Sequence, residues 1–165
     1  MAYFTKQEAR DYARSVTASF ESYSSKLESI VESQKYQYRF DVFLSHSVKD
    51  AELVLGVVRI LEDMGQKVYV DWVVDPQLSR DSVTKETAET LRDRMKQSSK
   101  LLYLATDNAS SSKWMPWELG YFDGLKSGNV AILPLVDSAY SSFQGQEYLG
   151  LYPALGKDDL RRFLG

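Results

Sequence analysis

The sequence predicts an α/β fold of the flavodoxin-like kind, a doubly wound and mainly parallel sheet, preceded by an N-terminal helical extension. Three observations predict it. Short, nearly continuous apolar runs recur along the chain, as expected of strands buried on both faces. Stretches of helical apolar spacing separate them, so successive strands are joined by right-handed crossovers. The 165 residues suffice for one well-buried core and fall short of two full domains.

Residues 5–33 contain no Gly or Pro and read as one long helix. Its apolar residues Ala9, Ala13, Val16, Phe20, Tyr23, Leu27 and Ile30 recur in steps of four and three, a narrow seam suited to one partner helix. Such a stripe either packs on the domain that follows or serves self-association. The expected units are an N-terminal helix over 1–35 and an α/β domain over 36–165. The first strand is Phe40–Ser45. A helix over 50–64 follows, with Leu53, Val57, Ile60 and Leu61 on one face and Gly65 as its stop. Residues 67–72 form the second strand, and a loop containing Pro76 leads to a helix over 82–97 that turns Ala88, Leu91 and Met95 inward. Residues 101–106 are the third strand, 116–126 a short helix, Val130–Val136 the fourth strand and Lys157–Leu164 a last helix.

Composition removes several chemistries. Net charge is −3 with no basic run, whereas a nucleic-acid binder needs a basic face to displace counterions. Nucleic acid is therefore not an expected partner. The chain has no cysteine and one histidine, His46, so thiolate chemistry and a His-rich metal cage are excluded. It has no 18-residue apolar run for a membrane span and no basic-then-apolar signal order at its start, so the expectation is a cytoplasmic protein.

In open parallel sheets ligands bind beyond the carboxyl ends of the strands. Here those ends are Ser45-His46-Ser47, Asp71-Trp72 and Thr106-Asp107-Asn108. The densest cluster follows the third strand: Ser111-Ser112-Lys113-Trp114-Met115-Pro116-Trp117-Glu118-Leu119-Gly120. Pro116 suits the first position of a helix, where its missing N–H costs nothing. That places Glu118 in the first turn, near the surface, where the helix dipole favours an ionised carboxylate. The competing reading is a capping glutamate with core tryptophans. Met115 stands where a Ser or Thr cap would be, which weakens that reading. His46 is either a general base or a turn histidine positioned by hydrogen bonds. Asp41, Asp50 and Asp71 lack the adjacent acidic pair of a phosphoacceptor pocket, and Gly120, Gly124 and Gly128 do not form a phosphate-cradling loop.

The run Phe40-Asp41-Val42-Phe43-Leu44-Ser45-His46-Ser47-Val48-Lys49-Asp50 resembles the opening strand and turn of a Toll/interleukin-1 receptor (TIR) domain. Trp114 to Glu118, Trp-x-x-x-Glu followed by Leu119, is similar to the catalytic segment of bacterial NAD-cleaving TIR proteins. The resemblance runs from about Tyr38 to the C-terminus and leaves the N-terminal helix outside. It implies cleavage of the nicotinamide–ribose bond of NAD, with NAD as substrate and no cofactor or metal. By the same resemblance Glu118 is the catalytic glutamate and Trp114 stacks on a flat ring, with Trp117 beside it as a further substrate-binding residue. Ser45 and His46 line the floor, and Asp71 and Trp72 begin a mobile loop over the pocket, running to about residue 82. It further implies ADP-ribose or a cyclic ADP-ribose isomer as product, antiphage defence signalling, self-association through TIR surfaces or the N-terminal helix, and a separate effector protein that reads the nucleotide.

The chemistry agrees on its own terms. Glycosidases generally need two carboxyl groups, one to protonate a poor leaving group. The nicotinamide of NAD already carries a positive charge and leaves neutral, so one ionised carboxylate beside the ribose suffices. Two rival functions are a non-catalytic TIR–TIR interaction module and a nucleoside-cleaving transferase on a similar fold.

Overall fold

The computed structural model describes residues 2–18, 21–72 and 84–165. The expected loop over 73–82, with Pro76 and the expected helix start at Ser82, lies outside the described residues.

The N-terminal segment corrects the sequence-based expectation, because it is a short strand and two helices in place of one long helix. Strand β1 (Phe4–Thr5) runs into α1 (Lys6–Ser15), and α2 spans Tyr23–Gln34. Local side-chain chemistry explains the break. Thr5 Oγ1 accepts from Glu8 N while Glu8 Oε1 accepts from Thr5 N, so α1 starts on a reciprocal cap. At its other end Thr17 Oγ1 donates to Ala13 O at 2.6 Å, competing with the helical ladder. Ser22 Oγ then accepts from Ser25 N and nucleates α2. The described part of the apolar seam is divided between the helices and faces inward: Ala9, Ala13 and Leu27 are fully buried, with Val16, Tyr23 and Ile30 packed beside them, while Phe20 lies outside the described residues.

The strands and helices alternate as expected: β2 (Phe40–Ser45), α3 (Ala51–Asp63), β3 (Val68–Val70), α4 (Lys85–Lys96), β4 (Ser98–Ala105), α5 (Trp114–Leu125), β5 (Val130–Val136) and α6 (Lys157–Leu164). Gly65 closes α3 with φ +81°, a left-handed conformation that favours glycine. The five strands are all parallel in the order β1-β5-β4-β2-β3. Strand order reverses between β2 and β4, which makes the carboxyl ends of those two strands the switch point.

The outer edge of β5 is shared by the two ends of the chain. Phe4 and Thr5 pair with Leu135 and Val136, while Ala154 bridges Ile132 further back along the same edge. Two apolar layers sandwich the sheet. One holds α1, α3 and α6 against Val42, Leu44, Leu102 and Leu133. The other holds Leu91 and Met95 of α4 and Met115, Leu119 and Phe122 of α5 against Phe43, Tyr103 and Ile132. No described helix is long and apolar enough to cross a membrane.

Candidate functional site

The site forms where β2 ends under the start of α5. Helix α5 begins at Trp114, two residues earlier than Pro116 predicts. Proline at the third helical position is tolerated because the first N–H groups of a helix have no helical partner. Ser112 Oγ accepts one of them, from Met115 N at 3.2 Å. Glu118 is therefore the fifth residue of α5, in its second turn, and it is fully buried where the sequence suggests a first-turn, near-surface carboxylate. The physical reason is helical spacing: Glu118 shares one face of α5 with Met115, Leu119 and Phe122, and that face packs on the sheet.

There it meets Ser45. Ser45 Oγ donates to Glu118 Oε1 at 2.7 Å, and the pair is enclosed. A carboxylate removed from water requires such donors, since isolated burial of a charge is costly. Tyr103 on β4 stands in register with Ser45 and is also fully buried. Its phenol pKa is raised above the ordinary value by burial first, then by the neighbouring Tyr148 hydroxyl, then by the Glu118 charge. Neither Tyr103 nor Tyr148 appears among the residues expected from sequence. The available signal was a lone hydroxyl in the apolar run Leu101-Leu102-Tyr103-Leu104, on the strand that borders Ser45.

Four of the other expected residues form two ring pairs, and Asp71 stands apart from both. His46 is fully buried, its Nδ1 lies 3.1 Å from Ser47 O, and its ring stacks on Trp72 at 5.7 Å between centroids and 27° between planes. Asp71 is half-buried between β3 and Trp72. Trp114 is buried, meets Trp117 edge-on at 5.3 Å, and walls a cleft of about 210 Å³ with Ser47, Lys49 and Ser112. Trp117 stacks on Tyr121 at 5.8 Å, and the Arg92 guanidinium lies over both rings, joining α4 to α5. The structure thus joins Ser45 to Glu118, His46 to Trp72 and Trp114 to Trp117.

Asp41 and Asp50 separate by role. Asp41 Oδ2 accepts from Lys67 N at the opposite end of β2 from Ser45. Asp50 is buried and accepts from Thr106 Oγ1 and from Asn108 Nδ2 at 2.7 Å, fixing the turn after β4 to the start of α3.

The profile of the TIR domain family matches residues 42–162, which takes in β2 from Val42 onward, the Ser45–Glu118 pair and α5. The chain belongs to the TIR domain family. Within it, this TIR domain is 53% identical over 119 residues to a Bacillus cereus strain MSX-D12 protein named 3' cyclic ADP-D-ribose synthase ThsB'. It is 33% identical over 94 residues to a Cytobacillus dafuensis protein named cyclic ADP-D-ribose synthase TIR2. Both names are marked as provisional. The matched regions cover 72% and 55% of this chain but 61% and 25% of those relatives, so the TIR domain corresponds to part of each. Among solved structures, the TIR domain of the Toll-related receptor TRR-2 from Hydra magnipapillata aligns with a TM-score of 0.48 at 19% identity, over 76% of this chain and 91% of that one.

Proposed function

We propose that this TIR domain cleaves the nicotinamide–ribose bond of NAD at Glu118 and releases a cyclic ADP-ribose species together with ADP-ribose. The observation that carries the reading is the enclosed Glu118 carboxylate held by the Ser45 hydroxyl at 2.7 Å. The names of the two relatives support it.

In this reaction the bond between the ribose anomeric carbon and the nicotinamide nitrogen breaks, and its electron pair neutralises the departing ring. The oxocarbenium-like centre left behind is opposed by the Glu118 charge, which also accepts hydrogen bonds from ribose hydroxyls. Preorganised electrostatics of this kind are worth roughly 3–4 kcal/mol per group. Attack by water gives ADP-ribose. Attack by a hydroxyl or the adenine of the same molecule gives the cyclic product, and either nucleophile loses one proton. In this reading His46, Trp72, Asp71, Trp114 and Trp117 are substrate-binding residues, and exclusion of water by the aromatic ones favours the intramolecular outcome.

Glu118 has no exposed surface, so the reaction requires a rearrangement of what covers it. Assembly of several copies is the natural source of that rearrangement, and the nucleotide product would then be read by a separate effector protein in antiphage defence.

The test is incubation with NAD at several protein concentrations, with products resolved by mass spectrometry, for the wild type and Glu118→Gln. The expected outcome is nicotinamide release with a product one water lighter than ADP-ribose, activity rising more than linearly with concentration, and none in the variant. Wild-type turnover by Glu118→Gln would overturn the assignment. Turnover of free nucleosides in place of NAD would favour the transferase, and no turnover at any concentration an interaction module.

A further inference from the structure

We propose that the cleft between the end of β2 and the start of α5 is a diphosphate site, where Lys49, Lys113 and the hydroxyls of Ser47 and Ser112 take the phosphates of a dinucleotide. The proposal rests on the reading of NAD as substrate given above. The cleft, of about 210 Å³, is lined by both lysines and, among the described residues, by no carboxylate. Both lysines are exposed, and neither side chain has an ion pair or hydrogen bond among the described residues. Cations nearby are neutralised: Lys6 by Asp107 and Asp137, and Arg10 by Glu52. Asp50, next to Lys49 in sequence, is committed to Thr106 Oγ1 and Asn108 Nδ2. Like charges lining one cleft repel, and an anion placed between them is attracted by both.

The serines add directional donors to the two point charges. Ser47 Oγ accepts from Lys49 N at 3.3 Å, and Ser112 Oγ accepts from Met115 N at 3.2 Å. Neither hydroxyl hydrogen has an acceptor among the described residues, so both remain to be donated to a phosphate oxygen. Ser47 is buried, which limits competition from water. The placement fits the substrate as well. In NAD the diphosphate joins the two riboses, so its site must adjoin the one that holds the nicotinamide ribose. The cleft is built from the same two segments as the Ser45–Glu118 pair. Ser47 follows Ser45 at the end of β2, and Trp114, the indole wall of the cleft, lies a helical turn before Glu118. Pockets that enclose a whole drug-sized ligand run to roughly 300–1,000 Å³, so this smaller cleft suits one part of a dinucleotide.

Two measurements test it, on the full chain. The first titrates inorganic pyrophosphate into the wild type, Lys49→Gln, Lys113→Gln and the double variant, followed by backbone amide NMR shifts. Both lysines are exposed, so the substitutions should leave the fold intact. The expected result is saturable shifts centred on residues 47–49 and 111–114, weaker in each single variant and absent in the double variant. Shifts scattered over lysines elsewhere, or undiminished in the double variant, would overturn the proposal. The second is steady-state turnover of NAD at a protein concentration where the wild type is active. The double variant should raise KM by about tenfold or more and change kcat by less than about threefold. An unchanged KM, or a loss confined to kcat, would also overturn it. An inactive Glu118→Gln alongside a wild-type KM in the double variant sinks this inference alone. Activity retained in Glu118→Gln sinks the proposed function, and the pyrophosphate titration still decides whether the cleft takes a diphosphate.

Discussion

At the scale of single residues, the site is built from side chains whose burial changes what a substitution does. Trp114 is 4% exposed and packs between Trp117 and the core of α5, so Trp114→Ala opens a cavity. It should lose about 3–5 kcal/mol of stability, measured by urea unfolding. A stable, folded Trp114→Ala with only a raised KM for NAD would show instead that the indole serves substrate alone. Glu118→Gln preserves shape and leaves the amide oxygen to accept from Ser45, so its melting temperature should not fall. Tyr103 adds a pH dependence. Its folded pKa is raised above 10.0, so above that pH the unfolded chain gives up the phenol proton while the folded chain keeps it. The folded state then binds more protons, and stability falls as pH rises. Tyr103→Phe should make the decline between about pH 9 and 11 shallower, and an unchanged slope would count against the buried, protonated phenol.

At the scale of elements, Gly56 and Gln34 mark two of the places where the N-terminal helices are fastened to the rest of the domain. Helix α1 crosses α3 at Gly56, where a Cβ would lie 1.8 Å from Ala9 O. Only a glycine allows that approach. Gly56→Ala should cost on the order of 1–3 kcal/mol or more, since the obstacle is backbone and cannot rotate away. An unchanged unfolding midpoint would mean that the helices are not in contact there. Helix α2 reaches the edge strand β3 through Gln34, whose Nε2 donates to Val70 O at 2.6 Å and whose Oε1 accepts from Val70 N at 3.3 Å. The amide replaces a neighbouring strand and blunts the edge. It also fixes the backbone two residues before Trp72, the residue stacked on His46. Gln34→Ala should leave both Val70 groups without their buried partner, at about 1–3 kcal/mol, and should disturb the His46 ring in NMR spectra.

At the scale of the whole molecule, the ends of the chain complete the sheet. β1 and the Ala154 bridge share the free edge of β5, and Lys157 N donates to Ala2 O at 2.9 Å. Lys6, just after β1, bonds Asp107 at 2.6 Å and Asp137 at 3.0 Å, beyond the carboxyl ends of β4 and β5. Its pKa is raised by those two partners. Deleting residues 1–35 removes β1, Ala9, Ala13, Leu27 and Gln34 together. The shortened chain should therefore lose cooperative unfolding and its near-ultraviolet circular dichroism. A folded product with the parent's midpoint would show that residues 1–35 are an appendage to an independent domain.

The alternation of apolar runs with helical spacing was legible because it is local: a strand buried on both faces must be apolar throughout, and a helix must repeat near 3.6 residues. β2, β5 and α6 follow directly from it, as does the placement of Glu118 beyond a strand end. The sequence by itself determined the α/β class, the parallel alternation and the absence of thiol chemistry. The tertiary structure decided the rest. It broke the N-terminal seam into two helices, because capping by Thr5 and Ser22 depends on hydroxyl geometry that spacing does not encode. It started α5 two residues early and buried Glu118, and it brought Ser45 to that carboxylate from a separate element. The contact between Ser45 and Glu118 is set by how β2 lies under α5, and that arises only once the sheet has closed its core.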